Sequence, residues 1–455
     1  MEEIVQFELT KEFHDRFKIA IENRNGDFIA QVLAGVEPVD ITTLLFEFSS
    51  EECKYVFSLL PARVNSDILI ELDEDTRAVY LLHFSVDELV SMVEEMDSDD
   101  AADVLMELPL RKREEIIGKL QNEEFANNIL DLLRYDEHVA GGLMAKEIIK
   151  ANVNWTVAQC IDEIRKQAEN VEKLYTVYVV DDKDVLLGRV SLKKIILTQD
   201  KVIISDIYES DITSVETFAE KREVATIMQK YDLESIPVVN ARRKLVGRIT
   251  VDDIIDVITE IAEEDRQLMT GISSDVEEDD SIWVLSKARL PWLIIGMVGG
   301  LFAAQLANLF SDDILLITGL AFFIPLIMAT GGNVGIQSSS IVVQSLAAKS
   351  VFAGSMGNRL MKVFFVAIIN GATLAVMVFG AIILIFKNEL LALTVSLALV
   401  CVVMLASFMG TITPLLLHRL GINPALASGP FITTTNDLLG LAVYFSIAHF
   451  FYNYV

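Results

Sequence analysis

Cysteine and basic charge are scarce in this 455-residue chain, and no long apolar run occurs before residue 290. The three cysteines, Cys53, Cys160 and Cys401, are far apart and form no Cys-x-x-Cys pair. That excludes a disulfide framework and a thiolate zinc site. Lys and Arg number 37 against 66 Asp and Glu, a formal charge of −29. Nucleic-acid binding rests on Lys/Arg contacts to phosphate, so this balance excludes it. The start, Met1-Glu2-Glu3-Ile4, has neither a basic cluster nor an apolar stretch, so no cleaved leader is expected and the N-terminus is expected in the cytoplasm. No nucleophile–base or metal–histidine constellation appears, so the chain is not expected to be an enzyme.

The acids that are present lie almost entirely before the membrane-like part. From Lys287 to Val455 there are seven Lys/Arg and four Asp/Glu, leaving 30 basic and 62 acidic residues before Lys287, or formal charges of +3 and −32. The second part holds five apolar stretches, Leu290–Ser311, Ile314–Ala348, Val363–Phe386, Leu390–Leu417 and Leu420–Val455. Each is long enough for the roughly 20 residues that span a bilayer core. Lys287, Arg289, Lys349, Arg359, Lys362 and Arg419 fall on one side of five spans, and Asp312, Asp313, Lys387 and Glu389 on the other. The positive-inside rule then predicts a multi-pass protein with its N-terminus inside and its C-terminus outside.

Two spans carry polar residues at membrane depth. The second contains Gly331-Gly332-Asn333-Val334-Gly335-Ile336-Gln337-Ser338-Ser339-Ser340 after Pro325. Adjacent glycines and Asn333 predict a broken helix whose freed carbonyls line a watery path, the only place such backbone is tolerated in a membrane. The fifth contains Thr433-Thr434-Thr435-Asn436-Asp437, and Asp437 is the one acid within the five stretches. Burying a carboxylate there costs on the order of 2.5–3.5 kcal/mol, and such a residue usually faces an ion path. Thr433 and Thr434, at i−4 and i−3, share or adjoin its face. No Lys or Arg lies within the stretches to pair with it. A role as proton relay stays open. The oxygen-rich, sulfur-free set suits a hard, hydrated cation such as Mg²⁺. Five helices are few to enclose a path, so a homodimer bringing two copies of Asp437 to one axis is expected.

Before the membrane, Tyr178–Ile196 and Pro237–Ile255 align without a gap at a period of 59. Each reads strand, polar turn, strand with Gly-Arg, then a helix opened by Ser or Thr. This repeat resembles a tandem cystathionine-β-synthase (CBS) pair, a regulatory module that often binds adenine nucleotides. Its Thr-x-x-Asp ribose motif is matched by Thr250 and Asp253, whereas the first copy has Ser191 and Lys194. Residues 1–138 read as short amphipathic helices, with turns at Leu60-Pro61 and Leu108-Pro109 and acidic helix starts near Asp73, Ser85 and Asp97. Asp99 and Asp103, four apart, are a pair able to share one cation.

The whole pattern resembles the MgtE family of magnesium transporters and channels. The motifs that carry it are Gly331-Gly332-Asn333-x-Gly335-x-Gln337-Ser338, and Asn423-Pro424-Ala425-x-x-Ser428-x-Pro430 followed by Asp437. The resemblance implies a mixed fold: an acidic all-α superhelical N-domain (1–138), two α/β CBS domains (139–200 and 201–262), a connecting, plug-like helix (263–289) and a five-helix transmembrane domain (290–455). It implies a homodimer in a bacterial cytoplasmic membrane, with Asp437 at the pore metal; Asn333, Thr433 and Thr434 are further pore candidates from the polar runs of the second and fifth spans. Regulatory Mg²⁺ would be held by Asp99, Asp103, Asp232, Asp253, Asp256, Glu264 and Asp265, closing the gate, and ATP is a further candidate ligand at Thr250 and Asp253. Some relatives carry Asp where this chain has Asn423. Family acids near the second CBS domain's first helix are matched only by Glu220, beside Lys221 and Arg222. The competing expectations are a CBS-regulated carrier for Mn²⁺, Co²⁺ or a proton-coupled solute, and a membrane-tethered sensor without transport.

Overall fold

A computed structural model describes residues 10–167, 176–273, 276, 280–311, 319–347, 356–427 and 429–454. The chain divides into two compact units, Met1–Ile258 and Thr259–Val455.

Among the described residues the first unit has ten short helices before its strands, from α1 (Lys11–Glu22) to α10 (Glu123–Leu132). Their starts are written in the sequence. Asp73 caps α6 (Glu74–His83) by accepting from the Thr76 N–H. Ser85 opens α7 (Val86–Val93) in a reciprocal capping box with Glu88. Pro61 and Pro109 stand just before α5 (Ala62–Ile70) and α9 (Leu110–Ile117). Proline suits a helix start because its missing N–H would have no intrahelical partner there. Each helix is too short to persist alone. They hold one another through a shared core that includes Phe17, Ile29, Leu45, Ile68, Leu81, Leu89 and Leu105, all essentially without solvent contact.

Among the described residues two three-stranded sheets follow. In the first, β1 (Lys150–Asn152) runs parallel to β2 (Val177–Val180), which pairs antiparallel with β3 (Leu186–Val190). The second repeats this with β4 (Val215–Glu216), β5 (Ser235–Val239) and β6 (Leu245–Thr250). The repeat extends to the register: Tyr178 opposes Arg189 as Pro237 opposes Arg248, and both hairpins slip by one residue before the turn. The copies also join each other. Leu186 N–H donates to the Arg243 carbonyl, Leu245 N–H to the Asp184 carbonyl, and the hydroxyls of Tyr178 and Ser235 lie 2.9 Å apart. Helix α12 (Leu192–Leu197) is opened by Ser191, and α14 (Val251–Thr270) follows Thr250 directly. Helix α11 (Val157–Gln167) precedes β2, and α13 (Lys221–Tyr231) precedes β5.

In the second unit, five helices among the described residues are long and apolar enough to cross a membrane. They are α15 (Ile282–Leu309), α16 (Ile324–Ala347), α17 (Met356–Phe386), α18 (Glu389–Arg419) and α19 (Pro430–Tyr454). Helix α18 is the most enclosed; its Leu391, Val395, Leu399 and Val402 meet Ile327 of α16 and Leu441, Tyr444 and Phe445 of α19 in one core. Tyr444 donates its hydroxyl to the Leu320 carbonyl at 2.8 Å.

Two expectations fail here. The second span is not broken at Gly331–Asn333: α16 is continuous through that motif. Its glycines are contact points instead. A methyl on Gly331 would lie 3.0 Å from Val402 and one on Gly332 3.1 Å from Thr433, while one on Gly335 would collide with Asn436. Small residues let helices approach closely in a membrane, so the glycines serve packing without costing the helix its backbone bonds. The irregular backbone falls earlier, at Gly319 (φ +99°) and the 3₁₀ turn Leu320–Phe323, and Pro325 sits harmlessly in the first turn of α16. Nor is 263–289 one connecting helix. Helix α14 runs on to Thr270, the chain turns at Gly271 (φ +87°), and α15 starts at Ile282 after its cap, Ser281.

Candidate functional site

The membrane unit gathers unpaired polar atoms at one depth. Asp437 on α19 lies against the Gly332 face of α16, its Oδ1 3.6 Å from where a methyl on that glycine would stand. This oxygen is buried and has no hydrogen-bond partner. The neighbouring Asn436 is 2% exposed, and both its amide atoms are likewise buried without partners. Each unmet buried polar atom costs about 1–3 kcal/mol, more where charged. Three at adjacent residues mark a place built to meet water or an ion.

The other pore candidates separate. The Thr433 methyl packs on Gly332 beside Asp437, and its hydroxyl donates to the Gly429 carbonyl at 2.9 Å. Thr434 turns instead to Gly299 of α15, so the structure places it in a helix contact away from the Gly332 face. Asn333 is exposed, off the buried face formed by Gly331, Gly332 and Gly335. Asn436 was legible only as part of a polar run. Its burial depends on Gly335 being opposite, which no local pattern reveals.

The first unit contains a second polar centre. A cavity of about 80 Å³ is lined by Asp97, Asp99, Asp100, Asp252 and Asp253, with Ala145, Thr250 and Arg248. Single oxygens of Asp97, Asp99 and Glu147 lie within 4.8 Å of one another. Asp97 holds the N-cap position of α8 (Ser98–Met106) but makes no side-chain cap bond. Glu147 caps the helix from afar, accepting from the Ser98 N–H and hydroxyl at 3.3 and 2.8 Å. Across the cavity, Thr250 donates its N–H and hydroxyl to Asp253 Oδ2 at 3.0 and 2.6 Å, which fixes that carboxylate.

So many acids raise each other's proton affinity. Burial first, then the charges of Asp100, Asp253, Glu147 and Asp97, push Asp99 well above the usual carboxylate range. Burial, then Asp253 and Asp97, push Asp100 to about 7. Asp253 is raised by burial despite its two bonds from Thr250. Oxygens on opposite sides of a Mg²⁺ shell stand roughly 4.2 Å apart, from a metal–oxygen distance near 2.1 Å. The three oxygens, all within 4.8 Å of one another, are close enough for such an ion to be held directly or through water.

An adenine nucleotide fits this cavity poorly. Small-molecule pockets run to about 300–1,000 Å³, the Thr250 hydroxyl is already committed to Asp253, and the acidic lining opposes a polyphosphate.

Of the seven expected regulatory acids, the structure brings Asp99 and Asp253 to this cavity. Asp103, one turn further along α8, lines a separate hollow with Tyr135 and Glu137. Asp232 is exposed in a left-handed cap at the end of α13 (φ 49°), and Asp256 is exposed on α14. Glu264 and Asp265 belong to the last turns of α14, within the second unit. Asp97, Asp100, Asp252 and Glu147 were not singled out by the sequence. The run Asp97–Asp100 looks like an ordinary acidic helix start, and Glu147 is distant in sequence.

A bundle of five membrane-length helices with an unpaired carboxylate, joined to a paired-CBS part with an acidic cavity, defines a multi-pass membrane transporter with a regulatory domain. The chain belongs to the MgtE family. The family model described as a divalent cation transporter matches residues 324–447, the MgtE intracellular N domain matches 36–138, and the CBS domain matches 139–199 and 204–260. The chain is 30% identical over 435 residues to the magnesium transporter MgtE of Thermus thermophilus, covering 94% of this chain and 96% of that one. It is 29% identical over 434 residues to the magnesium transporter MgtE of Bacillus subtilis, covering 95% and 96%. Among solved structures it is similar to the cytosolic domain of the Mg²⁺ channel MgtE in complex with ATP, at 30% identity and a TM-score of 0.50, covering 53% of this chain and 98% of that one.

Proposed function

We propose that this chain conducts Mg²⁺ through a homodimeric membrane domain, with its N-terminus in the cytoplasm and its C-terminus outside, and that cytoplasmic Mg²⁺ closes the path. The observation that carries the pathway is Asp437. Its Oδ1 is buried at membrane depth with neither a cation nor a hydrogen-bond donor beside it among the described residues. Mg²⁺ gives up its waters reluctantly, so a single carboxylate with nearby amide and hydroxyl dipoles serves a largely hydrated ion. Two copies about a dimer axis double that charge.

The acidic cavity is the regulatory site in this reading. Without metal its carboxylates repel, and proton uptake at Asp99 and Asp100 is the partial remedy. A divalent cation replaces those protons and draws α8 toward the start of α14.

Mg²⁺ entry into liposomes holding the full chain tests the pathway. Asp437→Ala is expected to reduce flux by about tenfold or more, given the weight of the lone carboxylate. Undiminished flux would refute Asp437 as the pore ligand.

A further inference from the structure

The turn between α18 and α19 holds a contact that neither the pathway nor the acidic cavity explains. Asn423 lies in that turn, directly before its 3₁₀ segment Pro424–Ala427. Its Oδ1 accepts from the Ala425 N–H at 2.9 Å. A backbone N–H can only donate, so this bond fixes which end of the amide is oxygen. The Nδ2 end therefore points outward, and it donates to Asp265 Oδ1 on α14 at 2.9 Å.

Backbone contacts continue the seat. Gly429, at φ +57°, lies so close to the Met269 carbonyl that any Cβ would collide with it. Gly271, at φ +87°, abuts the first residue of α19; a methyl on it would lie 2.5 Å from Pro430 Cγ. Ser273 then donates its N–H and hydroxyl to the Ala288 carbonyl at 3.0 and 2.6 Å, joining the same segment to α15. The end of α14 is thus fitted onto the N-terminus of the helix that carries Asp437.

An amide is needed at 423. An aspartate could accept from the Ala425 N–H, but its second oxygen would then face the Asp265 carboxylate about 3 Å away. Such a pair needs a shared proton or a bridging cation. We infer that Asn423 is a positioning residue of the gate: it seats the end of α14 on the entry to α19 by a direct, metal-free amide–carboxylate hydrogen bond, so this contact persists when cytoplasmic Mg²⁺ is absent. The inference rests on the proposed Mg²⁺ channel for its effect on flux, but not for the contact itself.

Two measurements on the full chain in liposomes separate these levels. The first is tryptic cleavage after Arg266, which is exposed on α14 next to Asp265. In EDTA, wild type is expected to resist cleavage there, while Asn423→Ala and Asn423→Asp are cut faster. Adding Mg²⁺ restores protection to Asn423→Asp, which gains a cation-bridged pair, and not to Asn423→Ala. The exchange Asp265→Asn with Asn423→Asp reverses the bond's direction and recovers protection in EDTA. The second measurement is Mg²⁺ flux against cytoplasmic Mg²⁺. Asn423→Ala is expected to need about threefold or more Mg²⁺ for half closure. Asn423→Asp closes with a steeper Mg²⁺ dependence, and the exchange returns the wild-type curve. Wild-type protection of both single variants in EDTA would overturn the inference, as would failure of the exchange to rescue. If wild type carries no Mg²⁺, the channel reading fails while the cleavage pattern still decides the contact.

Discussion

Asp99, Asp100 and Asp253 bind protons more tightly than carboxylates usually do, chiefly because the fold buries them. The sign of the consequence follows from linkage. Their folded values lie above the unfolded value of 3.8, and Asp100, raised to about 7, sets a window from about pH 4 to about pH 7 in which the folded form holds more protons. Stability of the metal-free first unit therefore falls as pH rises through that window. Thermal denaturation in EDTA should show a higher midpoint at pH 5 than at pH 7.5. Mg²⁺ should raise the midpoint by several degrees at pH 7.5 and by less at pH 5, where protons compete for the same oxygens. Asp100→Asn removes one of the repelling charges and should raise the midpoint in EDTA while shrinking the gain from Mg²⁺. An unchanged Mg²⁺ gain in that variant would remove the cavity from the sensing role.

At the scale of elements, sequence patterns translate into structure where they depend on near neighbours. The period of 59 returned as matched strand registers, because each copy is one supersecondary unit that folds on its own logic. Pro61, Pro109, Asp73 and Ser85 mark helix starts for the same reason. What the pattern misjudged depends on partners. Gly331-Gly332-Asn333 looks like a helix break in isolation, yet α16 runs on through it with α18 and α19 packed against its glycines. Thr434 sits near Asp437 along the chain and faces α15 in the fold. The acidic cavity was the least legible feature, since Glu147 joins Asp97 and Asp99 only through tertiary contact. The seam of α16 gives a prediction at this scale. Gly335 has no room for a Cβ beside Asn436, and Gly410 of α18 meets the Gly335 carbonyl, where a methyl would stand 2.5 Å away. Overpacking of this kind typically costs about 1–3 kcal/mol. Gly335→Val should lower the midpoint of thermal aggregation in detergent, whereas Gly300→Ala, on α15 with open space around it, should leave the midpoint unchanged.

For the molecule as a whole, charge and apolar surface are divided between two jobs. The residues before Lys287 carry a formal −32, and those from Lys287 onward +3, so the proposed cation sensing and the membrane passage fall in different stretches of one chain. A sensor of this kind can be built from weak sites. Moving a two-state equilibrium from mostly open to mostly closed takes about 5.5 kcal/mol of differential binding, which several cations can supply together. Passage itself does not need the sensor, because Asp437, Asn436 and the Gly332 face all lie in the second unit. Removing residues 1–262 should therefore leave Mg²⁺ flux in place but make it insensitive to Mg²⁺ on the cytoplasmic side. The truncation keeps Asp265 and Asn423, and with them the metal-free seat of α14's last turns. Its residual flux should then rise further when Asn423→Ala is added, with no change in Mg²⁺ response. Closure by Mg²⁺ that survives the truncation would place the sensor in the membrane unit instead.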